Sequence, residues 1–122
     1  MTIQTIMTND ESGKELVEYA QTMGRTLANS RLTTAQIRSI FSEVRQIEAL
    51  WKMDDKKALR RLNLLKPKLA YQGRRQTPVK ELEKVLAPAI DEVEKAADKN
   101  KSFKRFIELF EAILAYHKAE SR

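Results

Sequence analysis

Apolar residues recur along this chain at intervals of three and four, the spacing that lines one face of an α-helix. No run alternates with the period of two that a half-buried strand needs. Five segments carry the helical pattern. The first runs from Gly13 to about Ala28, with Leu16, Ala20, Met23 and Leu27 on one face and Ser12 and Glu15 spaced as a capping box. The second runs from Thr34 to about Lys52, with Thr33 and Gln36 as a second capping box and a stripe of Ile37, Ile40, Phe41, Val44, Ile47 and Trp51. The third starts after Asp54, turns Leu59, Leu62, Leu65 and Leu69 inward and finishes near Gly73. The fourth opens with Thr77 as N-cap and Pro78 at the first helical position, and buries Val79, Leu82, Val85, Leu86, Ala89, Ile90 and Val93. After the loop Asp98 to Lys101, Ser102 is placed to cap the last helix, whose stripe is Phe103, Phe106, Ile107, Phe110, Ile113 and Leu114.

Two prolines fall inside these segments. Pro67 has no N–H for the Asn63 carbonyl, so the third helix either bends there or ends near Asn63 and restarts; the apolar spacing that continues to Leu69 favours a bend. Pro88 displaces the Lys84 carbonyl in the same way and predicts a kink in the fourth. Residues 1–10 read as a flexible tail, and residues 11–122 as one small all-α bundle of about five helices.

Composition narrows the chemistry. The 122 residues, 42% of them hydrophobic, suffice for one modest core. With no cysteine there are no disulfides, thiolate nucleophiles or cysteine-bound zinc, and the single histidine, His117, leaves no His-pair chemistry. The opening MTIQTIMTND has neither the basic start nor the apolar run of a signal peptide, and no segment approaches a membrane span of about 20 apolar residues. The expectation is a soluble, cytoplasmic protein. Catalytic signals are weak, since no Ser or Cys is paired with a base and no glycine-rich phosphate loop is present. Glu94 and Asp98, four residues apart, could pair as carboxylates, but Lys95 and Lys99 beside them mark a solvated helix face. His117 continues the stripe of Ile113 and Leu114, which reads as packing near a helix C-terminus rather than as a base or a metal ligand. No catalytic residue, metal or cofactor is expected.

Charge changes the picture most. The formal charge is +6, and residues 52–84 hold 11 basic against 4 acidic side chains, while residues 1–51 hold 5 against 6 and residues 85–122 hold 7 of each. Such an excess points to a polyanion. Arg38, Arg45 and Lys52 repeat every seven residues on the second helix, and Arg61, Lys68 and Arg75 do so on the third. Each row would span about 21 Å, a pitch able to follow a phosphate backbone with little sequence readout. Lys56, Lys57, Arg60, Lys66, Arg74 and Lys80 thicken the patch. Phe41, Trp51, Phe103, Phe106 and Phe110 fall on apolar stripes. Tyr71, between Lys68 and Arg74, is the aromatic placed to stack on a base or sugar, unless its ring packs inward. A membrane surface would also attract this charge, but the basic segments lack an adjoining bulky apolar face.

Three stretches, LTTAQIRSIFSEV (Leu32 to Val44), LLKPKLAYQGRR (Leu64 to Arg75) and FKRFIELFEAILAYHK (Phe103 to Lys118), together resemble the small-subunit family of type III-A CRISPR effector complexes, the Csm complexes. The resemblance implies a helical, non-catalytic subunit that stacks in several copies as an inner filament in antiviral defence. It implies contacts with guide RNA and target RNA through phosphate and sugar, and packing against copies of itself and against backbone and large subunits. It makes Arg38, Lys66, Lys68, Arg74 and Arg75 RNA-contact residues; Arg45, Lys52 and Lys80 are added by helix geometry and patch density, and Tyr71 by its stacking position. The alternative is a helical protein-interaction module that does not bind RNA directly.

Overall fold

The computed structural model describes residues 2–121; Met1 of the expected tail and Arg122 of the expected bundle lie outside them. The described residues form six helices and no strand: α1 (Thr2–Thr8), α2 (Lys14–Asn29), α3 (Thr34–Met53), α4 (Asp55–Arg75), α5 (Thr77–Lys95) and α6 (Lys99–Glu120).

The extra helix is α1, where the sequence predicts a tail. Seven residues are too few to hold a helix alone. Ile6 and Met7 are buried, and Arg105 of α6 donates from Nη1 to the carbonyls of Ile6 (2.9 Å) and Asp10 (3.1 Å) at the end of the segment. Asp10 is itself buried, and its carboxylate accepts from the backbone N–H of Glu15 (3.1 Å) and Leu16 (2.8 Å). That carboxylate takes the second and third free amides of α2, and Ser12 Oγ accepts from the first, Lys14 N–H (3.3 Å), so the expected Ser12–Glu15 box does not form. Gly13, at φ 82°, supplies the turn between them.

Other helix ends divide in the same way. The Thr33–Gln36 capping box is present, with Gln36 N–H to Thr33 Oγ1 at 3.0 Å and Thr33 N–H to Gln36 Oε1 at 2.8 Å. At α5 the N-cap is Gln76, so Thr77 is already helical. At α6 the N-cap is Asp98, which accepts from Lys101 N–H at 3.1 Å, and Ser102 lies a turn inside the helix, buried. The expected caps Thr77 and Ser102 are thus each displaced by a neighbour upstream. Pro67 and Pro88 sit inside continuous helices, and α4 does not end near Asn63.

α3, α4, α5 and α6 run up and down in turn. Gln36 Nε2 meets Gln76 Oε1 (3.0 Å) and Arg61 Nε meets Glu43 Oε2 (2.9 Å) across α3 and α4; Asn63 Nδ2 reaches Glu94 Oε1 (2.8 Å) across α4 and α5. α2 runs parallel to α6 and approaches it closely at Gly24, where a Cβ would lie 2.5 Å from that of Tyr116. The core is filled by Phe106 and Phe110 of α6 with most of the predicted stripes of α2, α3, α4 and α5, while Met23 and Leu59 are only half-buried against it. Phe41 and Trp51 are half-buried at its edge, the first edge-on to Phe110 at 5.0 Å and the second stacked on Phe103 at 4.2 Å. His117 is fully buried, and its Nε2 donates to the Leu32 carbonyl at 2.6 Å, fastening α6 to the α2–α3 turn as a packing residue. α4 packs on α3 and α5, on the side away from α2 and α6, and so presents a long outer face.

Candidate nucleic-acid interface

α4 forms because an Asp54 N-cap accepts from Lys57 N–H (3.1 Å) ahead of a run rich in Lys, Leu and Arg. Its apolar side, Ala58, Leu62, Leu65, Leu69 and Gly73, is buried, and this leaves the cations between those positions at the surface. Gly73 admits α5 closely, since a Cβ there would lie 3.1 Å from Lys80 Cα. This contact brings Arg74 and Lys80 into one groove with Ala70 and Glu83.

Tyr71 and Arg75 lie on the other side of Gly73 and line a cleft of ≈ 460 Å³ with Ala35, Gln36 and Ser39 of α3, and with Gln72, Gln76 and Val79. Tyr71 is 63% exposed, so its ring does not pack inward. The Arg75 guanidinium sits 5.8 Å from the ring centroid, a cation–π contact. Lys68 is exposed one turn before Tyr71, and Arg38 is exposed one residue before Ser39. The corner where α4 ends and α5 begins therefore gathers Tyr71, Arg74, Arg75 and Lys80, with Lys68 one turn earlier on α4.

The remaining candidates are placed apart from that corner. Arg45 is bonded to Glu48 (2.7 Å) and to Glu111 of α6, and its guanidinium lies 4.7 Å over the Phe41 ring. The bond to Glu48, followed by the one to Glu111, raises the Arg45 pKa against the opposing effect of burial. Lys52 lines a separate cleft with Trp51, Asn100, Phe103 and Lys104. Arg45 and Lys52 thus lie on the α6 flank of α3, while Arg61 and Lys68 of the α4 row meet Glu43 on the opposite flank. Lys66 is paired with Asp91 of α5. Glu43 accepts from Arg61 and faces Lys68 at 3.7 Å; the Arg61 hydrogen bond, aided by Lys68 and opposed by partial burial, holds its carboxyl below the usual range. Among the described residues, Arg38, Lys52, Arg74, Arg75 and Lys80 enter no ion pair.

Sequence reasoning names the cations and Tyr71 but misses the neutral wall of the cleft, Gln36, Ser39, Gln72 and Gln76. Neutral polar residues on exposed helix turns carry no periodic or charge signal. The Glu94–Asp98 pair is not assembled, since Glu94 accepts from Asn63 and Asp98 caps α6. Among the described residues no three acidic or histidine side chains converge on a metal-sized site, and no helix is long and apolar enough to cross a membrane.

Compared with known proteins, the chain matches no curated sequence and no solved structure. The family model described as Csm2 Type III-A matches residues 10–122, which takes in every helix except α1. The chain belongs to the Csm2 Type III-A family, the small subunit of type III-A Csm CRISPR effector complexes.

Proposed function

We propose that this subunit is a non-catalytic RNA-contacting element of the effector complex, which works in the cytoplasm in antiviral defence. It holds guide RNA and target RNA by their phosphates and sugars at the α3–α4–α5 corner and packs against copies of itself and against the backbone and large subunits. The observation that carries this reading is the cluster of Arg74, Arg75 and Lys80 where α4 meets α5, with no carboxylate partner among the described residues. Cations already held by carboxylates have less to gain from a phosphate; unpaired ones release counter-ions and drive association.

Lys68, Tyr71, Arg74, Arg75 and Lys80 form the principal strip, with Arg38 beside it. Lys66, Arg45 and Lys52 reach the RNA only from the flanks, the first two after exchanging a carboxylate for a phosphate. Base pairing between the strands supplies sequence choice, and this subunit supplies charge and shape.

A salt series with the full chain and an RNA duplex tests the reading. Engagement of about six phosphates predicts a log–log slope of about −4 to −5. Replacing Lys68, Arg74 and Arg75 by alanine should flatten it by about 2 to 3. A response independent of salt, or a slope unchanged in the triple variant, contradicts the reading and favours a protein-interaction module.

A further inference from the structure

The cleft beside Tyr71 has a chemistry different from that of the strip next to it. A phosphate site needs donors. This cleft offers donors and acceptors together: the Gln72 amide and the Ser39 hydroxyl have no hydrogen-bond partner among the described residues, and Gln76 spends only Oε1, on Gln36 Nε2, leaving its own NH2 group unused. Its lining includes the apolar side chains of Ala35 and Val79. At its edge stands a largely exposed aromatic ring, with a guanidinium near it to meet a phosphate.

Apolar lining residues, an exposed aromatic ring, amide and hydroxyl groups and a nearby cation match the parts of one nucleotide: base faces, base edges and phosphate. A volume of ≈ 460 Å³ is within the usual range for small-ligand sites. A base inside a duplex has both faces covered by its neighbours and cannot stack on Tyr71. An unpaired base can.

We infer that the cleft between α3 and the end of α4 receives a single unpaired nucleotide of the bound RNA, with Tyr71 stacking on its base and Ser39, Gln72 and Gln76 hydrogen-bonding its edges or ribose. The inference rests on RNA being held at the adjoining basic corner. It gives the subunit a contact that fixes the position of the RNA along the strip, which charge alone does not do.

The test uses the full chain and three RNA duplexes of equal length: one fully paired, one with a single bulged adenosine, and one with an abasic residue in place of the bulged base. Each is measured over a salt series. The bulged duplex should bind at least about fivefold tighter than both others. The variant Tyr71→Ala should reduce that ratio to about one and Tyr71→Phe should keep it. Gln72→Ala should narrow it while leaving the fully paired duplex unaffected.

Equal binding of all three duplexes with the salt slope intact overturns the cleft and leaves the basic corner standing. A preference shared by the abasic duplex, or one that survives Tyr71→Ala, overturns it as well, since flexibility of the strand would then be the cause. Absence of any salt-dependent binding overturns both.

Discussion

Lys68 Nζ stands 3.7 Å from Glu43 Oε2, the same oxygen that accepts from Arg61 Nε at 2.9 Å. A carboxylate from outside the basic third of the chain thus holds back two cations of the α4 row. Replacing it, in Glu43→Gln, frees both for phosphate. RNA affinity should rise by about threefold or more at low salt, and the log–log salt slope should steepen by about 0.7 to 0.9 for each additional phosphate engaged. Filter binding or anisotropy across a salt series measures both. An unchanged or weaker affinity contradicts the assignment of Lys68 to the RNA strip.

The same carboxylate sets a pH dependence. An unfolded glutamate titrates near about 4.3, and Glu43 in the fold is held lower, chiefly by its hydrogen bond from Arg61. Its contribution to stability is therefore fully present above the unfolded value and is lost as pH falls through the folded one. In urea unfolding, the stability difference between the native chain and Glu43→Gln should be constant from about pH 7 to 6 and shrink below about pH 4.3. A difference that persists unchanged at lower pH would show that the pair adds no proton linkage.

Gly24 tests the α2–α6 seam. Alanine is the better helix former by about 1 kcal/mol in isolation. Here its Cβ would lie 2.5 Å from Tyr116 Cβ and 2.8 Å from His117 N, so the helices must separate. Gly24→Ala should destabilise the fold by about 1–3 kcal/mol net, read as a lower urea midpoint. A midpoint at or above that of the native chain would place the helices farther apart than described.

Capping at α6 gives a test with opposite signs for two residues. Asp98→Ala removes the cap on Lys101 N–H and should cost about 1 kcal/mol. Ser102→Ala removes a buried hydroxyl that has no partner among the described residues, and should be neutral or stabilising by up to about 1 kcal/mol. If Ser102 were the N-cap, as the sequence suggests, the two costs would exchange.

The all-α class, the inward face of each long helix and the Thr33–Gln36 box are legible in the chain because they depend on local spacing. The features that escape depend on residues far apart. α1 has too few residues to announce itself, and its anchor, Arg105, lies 99 positions beyond Ile6. Asp10 caps α2 from six residues upstream of Leu16, outside any capping-box spacing. The two basic rows look alike in sequence, yet Arg45 and Lys52 of the α3 row face α6 while Arg61 and Lys68 of the α4 row meet Glu43 of α3. Which cations are held by Glu43, Asp91 and Glu111 follows from helix packing, and no count of charge along the chain predicts it.

The central claim, that the α3–α4–α5 corner touches RNA in the working assembly, is tested most directly by photo-crosslinking in the complete effector complex. Guide or target RNA carrying photoreactive uridines is irradiated in place and the modified peptides of this subunit are mapped. The account predicts cross-links within residues 68–80, with Tyr71 foremost, and loss of those cross-links when Lys68, Arg74 and Arg75 are replaced by alanine. Cross-links confined to residues 85–122, or none on this subunit in a complex that holds its RNA, would contradict it.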